Sequence, residues 1–281
     1  MKAKLLVLAA MWLACSTMAA QPSSFSGPRK VIASDTHGWL APVWSPDGSR
    51  LAVTGDNYTG IWVAQADGTD LHQVSQATGA GYQMRWADNN SLTSTPYSMD
   101  GMRRMTRIER VDARSGKVTL VADAVRDFKR SRVGKQTSAL SIMLDDPANA
   151  TVRLPELSAF SGKMVINPAL SPDGTLIAFQ VVGKGLFVCN ADGTGVRSLG
   201  KGSHPSWLPD NRHVMVTRLQ DDGEVFTQGD IYCVDITNGN DMNITPDSDV
   251  IPVTMSLTTD GAKLAFDNDV DGSIYVIDLK Y

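Results

Sequence analysis

The most constraining feature of this chain is a four-residue segment, Ser-Pro-Asp-Gly, that occurs at 45–48 and again at 171–174. In a tight turn, Pro fixes the φ angle of its position, and Gly accepts the positive φ that lets the next strand pair back on the previous one. Both copies lie between apolar stretches, PVW and RLAV around the first, PAL and LIAF around the second. Each copy therefore predicts a hairpin of two antiparallel strands.

The same pattern of strand, four-residue turn and strand recurs at 83–94, 205–216 and 255–266 with other turn sequences. The residues that precede the five turns are Trp44, Trp86, Leu170, Trp207 and Leu257. Trp44 and Trp86 are 42 positions apart, and two further steps of 42 reach Phe128 and Leu170. This spacing predicts a degenerate repeat over 124–165.

A third apolar strand with a polar turn follows the hairpin in several repeats, as in GIWVAQADGT (60–69) and GLFVCNADGT (185–194), and a short fourth strand comes after it. Four strands per repeat of about 42 residues, with almost no helix, are typical of a β-propeller. The 252 residues from Lys30 to Tyr281 accommodate six such repeats. We therefore expect an all-β, six-bladed β-propeller.

The two ends of this region predict how the ring closes. The last repeat stops after its third strand, SIYVIDLK (273–280), and a single strand, RKVIAS (29–34), precedes the first repeat. Pairing of the N-terminal strand with the C-terminal blade would complete that blade and remove exposed sheet edges.

The first twenty residues have the layout of a secretory signal peptide. Lys2 and Lys4 precede the apolar run 5–14, and Ala19 and Ala20 follow it. The apolar run is too short to remain as a membrane-spanning helix. Cleavage after this segment would release a periplasmic or secreted protein.

An alternative processing route depends on Cys15. This residue follows Leu13-Ala14 in an arrangement that resembles a bacterial lipoprotein box, and its use would leave a lipid-anchored envelope protein. The other two cysteines are Cys189 and Cys233, which we expect to be separate buried thiols, although a disulfide between them stays open. The formal net charge of −4 argues against a nucleic-acid partner.

The repeats resemble a known family. The pattern PxWSPDGxxLA followed by an apolar strand and QADGT or NADGT, at 42–52 with 65–69 and at 168–178 with 190–194, resembles the TolB-type propeller repeat of periplasmic proteins. The resemblance implies a TolB-like propeller over 29–281 and an envelope location. Only a few residues separate the signal segment from the first repeat, so we expect no counterpart of the N-terminal domain of TolB, and the role of TolB in its own complex does not carry over.

Enzyme motifs are absent from the sequence. It contains no GxSxG, HExxH or CxxC, and its four histidines are scattered. For an enzyme with its site at the channel mouth, the nearest resemblance is to the propeller lyases of oligogalacturonate, but their combination of metal and histidines is not recognisable here. The sequence therefore leans away from an enzyme without excluding one.

One segment matches a calcium-binding template. Asp267, Asp269 and Asp271, with Gly272 and Asp278, have the spacing of an EF-hand loop, in which alternate oxygens converge on a hard cation. The flanking residues predict strands instead of helices, so an acidic hairpin loop is the alternative interpretation. Calcium is the only cofactor that the sequence suggests.

In a propeller, the connections between second and third strands share one face with the segments that enter each innermost strand. We expect the acidic residues of these connections to form a rim that attracts basic partners, with simple solubility as the alternative. They are Asp56, Asp100, Asp145, Asp146, Asp221, Asp222, Glu224, Asp267, Asp269 and Asp271. The candidate binding residues at the mouth of the central channel are His37, Trp39, Tyr82, Gln83, Arg85, Arg126, His204 and Thr254. Trp39 and Tyr82 could instead pack between blades.

The function predicted from the sequence is that of an exported cell-envelope binding or scaffold protein, which uses the loop face of the propeller for a protein or peptide partner. Two alternatives stay open: a propeller enzyme similar to oligogalacturonate lyase, and a structural ring stabilised by calcium.

Overall fold

The computed structural model describes residues 21–33, 38–126 and 138–281. The predicted signal peptide, Cys15 and His37 lie outside this part of the chain. In chain order the strands are β1 (Ser24–Phe25), β2 (Arg29–Ile32), β3 (Leu40–Trp44), β4 (Arg50–Thr54), β5 (Ile61–Gln65), β6 (His72–Ser75), β7 (Arg85–Asp88), β8 (Ser91–Ser94), β9 (Tyr97–Asp100), β10 (Arg103–Asp112), β11 (Val118–Arg126), β12 (Val165–Leu170), β13 (Leu176–Val181), β14 (Gly185–Asn190), β15 (Arg197–Gly200), β16 (Ser203–Trp207), β17 (His213–Asp221), β18 (Phe226–Asp235), β19 (Asp241–Asn243), β20 (Pro252–Leu257), β21 (Lys263–Asn268) and β22 (Ser273–Lys280). The helical elements are α1 (Ala139–Asp145), α2 (Ala150–Arg153) and the 3₁₀ turns Asp56–Tyr58 and Pro155–Phe160.

These strands form a five-bladed β-propeller. Blade 1 contains β3 to β6; blade 2 contains β7, β8, β10 and β11, with β9 paired to β10; blade 3 contains β12 to β15; blade 4 contains β16 to β19; and blade 5 contains β20, β21 and β22, to which β1 and β2 are added. Within each blade, neighbouring strands run antiparallel, and buried apolar side chains fill the spaces between blades.

The prediction of six blades was wrong. The extra repeat was placed at 124–165, but β11 ends at Arg126 and residues 139–160 are mainly helical. Helix α1 carries apolar residues at helical spacing, and Ile142 and Met143 are buried with Leu157 against Phe179 of blade 3. A helical segment thus covers the face of blade 3 where the spacing of 42 predicted a sheet. Phe128, on which that spacing was projected, lies outside the described residues.

Closure of the ring occurs as the sequence predicts. Strand β2, here called the closing strand, pairs antiparallel with β22, so that Arg29 faces Val276 and Lys30 faces Tyr275. The Lys30 ammonium lies 2.6 Å from a carboxylate oxygen of Asp271, and the side chain of Ile32 is buried. The backbone N–H of Ser23 donates to the carbonyl of Lys280 at 2.7 Å. The last blade is therefore built from both ends of the described chain.

The Ser-Pro-Asp-Gly segments form the predicted tight hairpin turns. In the first, Asp47 Oδ1 accepts hydrogen bonds from the Ser45 hydroxyl at 2.7 Å and from the backbone N–H of Ser49 at 3.0 Å, and Gly48 has φ of 68°. These bonds to the charged form hold the pKa of Asp47 at about 2. The second turn repeats the arrangement with Asp173 at its centre. Each turn is thus locked by its own side chains.

The recurring tryptophans link neighbouring blades. The indole N–H of Trp86 donates to the carbonyl of Val43 at 3.0 Å, and that of Trp207 donates to the carbonyl of Ala169 at 2.9 Å. Each acceptor lies on the innermost strand of the preceding blade. Val43 comes directly before Trp44, and Ala169 comes directly before Leu170; Trp44 and Leu170 hold the tryptophan position in those two blades. Leu170 holds that position in blade 3, which follows the helical segment.

Cys189 and Cys233 are separate buried thiols, as expected, and burial raises the pKa of each to about 12. Within the described residues, no helix combines the length and apolar character needed to cross a membrane.

Candidate binding site on the loop-bearing face

The loop-bearing face is the end of the ring at which second strands lead to third strands and the chain enters each innermost strand. In blades 1, 3, 4 and 5 the innermost strand has one extra residue at this face compared with the second strand, with which it pairs. This irregularity is a β-bulge. The residues in a left-handed conformation at this point are Ala41 (φ 49°), Asn167 (φ 52°) and His204 (φ 50°), with Gln83 (φ 53°) at the same place in blade 2. Such backbone strain in non-glycine residues clusters at ligand-binding sites.

Of the predicted residues, the structure places Gln83, His204 and Thr254 at this ring of bulges. It adds Ala41 and Asn167, which the sequence analysis missed. A signal for them was present, because Ala41, Asn167 and His204 each precede a proline. A bulge leaves one backbone N–H outside the ladder, and proline has no N–H to leave unpaired.

Between blades 3 and 4 this face contains a groove of about 1020 Å³. Its floor is the connection between the two blades, residues 200–203, and its inner end is formed by Asn167 and His204. One wall is the hairpin turn of blade 3, around Lys184. The opposite wall is formed by blade 4 and includes Leu219 and Phe226.

The wall from blade 4 exists because β17 and β18 are 9 and 10 residues long, against 6 for β13 and β14 of blade 3. Their hairpin therefore extends beyond the ring. Arg218 stiffens its base: the guanidinium lies 2.6 Å from Asp241 and 4.0 Å from the ring centroid of Tyr232, and its Nε donates to the carbonyl of Lys201 at 3.1 Å. This wall is thus held to the floor of the groove.

The lining of the groove is rich in hydrogen-bond donors. Lys184 and Lys201 are exposed, and the lining residues include no carboxylate. The Asn167 side-chain amide donates to Gln180 at 3.4 Å, so both amides line the inner end. His204 Nδ1 is buried without a hydrogen-bond partner in the described structure, and burial lowers the pKa of this imidazole. The groove therefore suits a ligand with apolar groups and anionic or carbonyl acceptors.

His204 is the predicted binding residue that lines this groove, whereas Gln83 and Thr254 lie at the ring of bulges outside the lining. The remaining predicted residues lie elsewhere. Trp39 is buried against Trp62, with ring centroids 5.1 Å apart, so it packs within the ring. Tyr82 is half-exposed and makes an edge contact with Tyr58. Arg85 lines a second cavity of about 520 Å³ with Leu140 and Leu144 of α1 and with the later halves of two innermost strands. The side chain of Arg126, like all of His37, lies outside the described part.

The three carboxylates of the predicted calcium loop have different surroundings. Asp267 is buried and accepts hydrogen bonds from the backbone N–H of Ala41 at 3.1 Å and from the N–H and hydroxyl of Thr254 at 2.6 and 2.8 Å. It joins the innermost strands of blades 5 and 1, and burial raises its pKa. Asp271 pairs with Lys30, and Asp269 is exposed. The arrangement gives the calcium hypothesis no support.

The described histidines are also dispersed. His72 bonds the carbonyls of Asp70 and Ala113, and buried His213 bonds Asp210 at 2.5 Å. Over residues 21–33, 38–126 and 138–281, no group of three or more His, Cys, Asp or Glu is placed to hold a metal ion. The histidine cluster that would favour a lyase is not formed by this part of the chain.

The predicted acidic rim is interrupted. Asp267 is buried, Asp271 pairs with Lys30, and Asp146 bonds Arg153 at 3.2 Å. The carboxylates that remain exposed are distributed over blades 1, 2, 4 and 5, at Asp56, Asp100, Asp221, Asp222, Glu224 and Asp269. Three of these belong to the projecting hairpin of blade 4, outside the groove lining.

Comparisons with known proteins do not assign this chain to a family. No protein-family model and no curated protein sequence matches this chain. Similar solved structures include an oligogalacturonate lyase in complex with manganese (TM-score 0.43, 14% identity, 92% of this chain and 83% of that one). They also include TolB from Acinetobacter baumannii (0.38, 14%, 88% and 55%) and a putative TolB from Agrobacterium tumefaciens (0.43, 14%, 94% and 100%). TolB-like propellers are thus among its structural neighbours, while no particular repeat family is established.

Proposed function

We propose that this protein is an exported binding protein of the cell envelope, which holds an extended segment of a protein or peptide partner in the groove between blades 3 and 4. The groove is the observation that carries the proposal. Its volume of about 1020 Å³ accommodates several residues of an extended chain, and pockets that bind ligands combine apolar walls with a few polar groups in the same way.

The positive charge of the lining favours a partner that bears carboxylates. Lys184 on the wall from blade 3 and Lys201 on the floor both line the groove, so a segment held there would lie near two ammonium groups. Leu219 and Phe226 would receive apolar side chains of the same segment. This differs from the basic partner expected from an acidic rim, because the acidic residues do not line the groove.

Export is proposed from residues 1–20, whose charge and apolar pattern are those of a signal peptide. Release by cleavage and anchoring through Cys15 both place the propeller in the envelope or outside the cell.

The test is selection of a phage-displayed library of random peptides against the purified protein. We expect the selected peptides to be rich in Asp and Glu, and their affinity to fall about tenfold on Lys201→Glu, which corresponds to about 1.4 kcal/mol. Arg114→Glu is the matched control, since Arg114 is exposed in a turn on the opposite face. Selected peptides that bind the Lys201→Glu variant as well as the parent protein would contradict the proposal.

A further inference from the structure

The second cavity, of about 520 Å³, is here called the axial cavity. Its described lining comes from the innermost strands β7, β12 and β16 and from α1. Innermost strands surround the central channel of a propeller, so this cavity lies beside the axis of the ring. Pro172 of the second Ser-Pro-Asp-Gly turn also lines it, which places it towards the face opposite the loop-bearing face. The axial cavity shares no described lining residue with the groove between blades 3 and 4.

The cavity is open because blade 3 lacks the tryptophan that blades 1, 2 and 4 have at the same place. Trp44 and Trp207 are 5% and 8% exposed, whereas Leu170 is 43% exposed. A leucine side chain is smaller than an indole, and α1, instead of a blade, lies beside β12. Space that an indole would fill in blade 3 therefore stays accessible.

Helix α1 presents a second apolar side to this space. Ala139, Ile142 and Met143 are buried against blade 3. Leu140 and Leu144, which are one helical turn apart, line the axial cavity. A helix that buries one side normally has polar residues on the other. The two leucines thus leave apolar surface at the cavity, which a ligand with an apolar body would cover.

Arg85 is the one charged residue among the described residues of the lining. It is exposed, and no residue in the described part of the chain bonds its guanidinium. The indole N–H of Trp207 already donates to the carbonyl of Ala169. A single cation in an apolar cavity suits a ligand with one negative charge. The planar guanidinium matches a carboxylate, to which it donates two parallel hydrogen bonds.

We propose that the axial cavity binds a small carboxylic acid with an aliphatic body. Its carboxylate pairs with Arg85, and its hydrocarbon chain packs on Leu140, Leu144 and Leu170. The cavity volume lies within the range of about 300–1,000 Å³ that is usual for sites of small ligands. This site goes beyond the proposed function and does not depend on it, because the groove uses other residues at the opposite face.

Isothermal titration calorimetry with octanoate tests the site. We expect one octanoate to bind per chain, and the affinity to fall at least about tenfold in Arg85→Gln and at least about tenfold when 1-octanol replaces octanoate. Arg103→Gln is the matched control, because Arg103 is also an exposed arginine of blade 2 but lies on β10, outside the lining. A parent protein that binds no octanoate at about 1 mM, or binds 1-octanol equally well, overturns the proposal.

Filling the cavity gives a second test. Leu170→Trp introduces the residue that the other three blades have at this place, and we expect it to weaken octanoate binding at least about tenfold while the circular dichroism spectrum stays unchanged. Leu144→Gln, on the exposed side of α1, should weaken binding as well and covers the case in which Leu170→Trp does not fold. Unchanged affinity in a folded variant contradicts the site. Loss of affinity in Lys201→Glu but not in Arg85→Gln would put octanoate in the groove and also overturn the proposal.

Discussion

The bonds between tryptophans and neighbouring blades predict different outcomes for chemically identical substitutions. Trp207 and Trp44 hold the same place in blades 4 and 1, and their exposed fractions are 8% and 5%. The indole N–H of Trp207 has an acceptor, the carbonyl of Ala169 at 2.9 Å. The indole N–H of Trp44 is buried and has no acceptor in the described part of the chain. Trp→Phe removes the same atoms at both positions, so the two variants lose about the same packing energy.

The remaining difference comes from hydrogen bonding. Trp207→Phe leaves the Ala169 carbonyl without its donor, which costs about 1–3 kcal/mol when the group stays buried. Trp44→Phe removes an N–H that is already unpaired, which relieves a penalty of about the same size. We therefore expect Trp207→Phe to lower the free energy of unfolding by about 2–6 kcal/mol more than Trp44→Phe does.

Urea unfolding followed by circular dichroism measures this difference without depending on tryptophan fluorescence. Thermal unfolding gives a second measurement. For a chain of this size, each kcal/mol of unfolding free energy shifts the melting temperature by about 2–4 °C, so the melting temperatures of the two variants should differ by at least about 4 °C. Trp86→Phe should behave like Trp207→Phe, since its indole also donates to the preceding blade. Equal destabilisation at Trp44 and Trp207 would refute the role given to these bonds.

Three further outcomes follow from the closing strand and the turns. Ile32→Ala removes a buried side chain from the closing strand and should lower the free energy of unfolding by about 2–5 kcal/mol in urea titrations; no loss would mean that the strand does not hold the ring. Bonds from Arg212 hold the pKa of Asp235 well below its usual range, so the carboxylate stabilises the fold at neutral pH and this contribution fades as pH falls below about 4. The stability gap between parent and Asp235→Asn should therefore shrink from pH 7 to pH 3, and a constant gap contradicts this. Gly68→Ala places a Cβ 1.8 Å from a carbonyl oxygen of the closing strand and should melt well below Gly174→Ala, which has similar φ but nothing within 4 Å.

Local turn chemistry made the hairpins predictable, because Pro, Asp and Gly act within four residues of one another. Closure was also predictable, since a blade with three strands and an unpaired strand at the other end have one simple solution. The number of blades was not, because a spacing of 42 counts residues without specifying their conformation. The apolar residues of α1, at i, i+3 and i+4, contained the missing information.

The candidate groove was predictable only in part. His204, which lies near the start of an innermost strand, is the predicted residue that lines it, but the groove also depends on how far the hairpin of blade 4 projects. That length follows from the pairing of β17 with β18, which joins residues with no distinctive motif. The inward turn of Asp267 likewise depends on the backbone of Ala41, 226 positions away in the chain. Contacts of this range leave no local sequence signal.

The bond between Ser23 and Lys280 shows that the two ends of the described chain are neighbours in space. A peptide linker of a few residues could join them, and the covalent backbone could then be cut at an exposed turn such as Pro172–Gly174. The resulting circular permutant would have its blades in a new order along the chain but in the same order around the axis. The position of the chain termini therefore does not determine the fold.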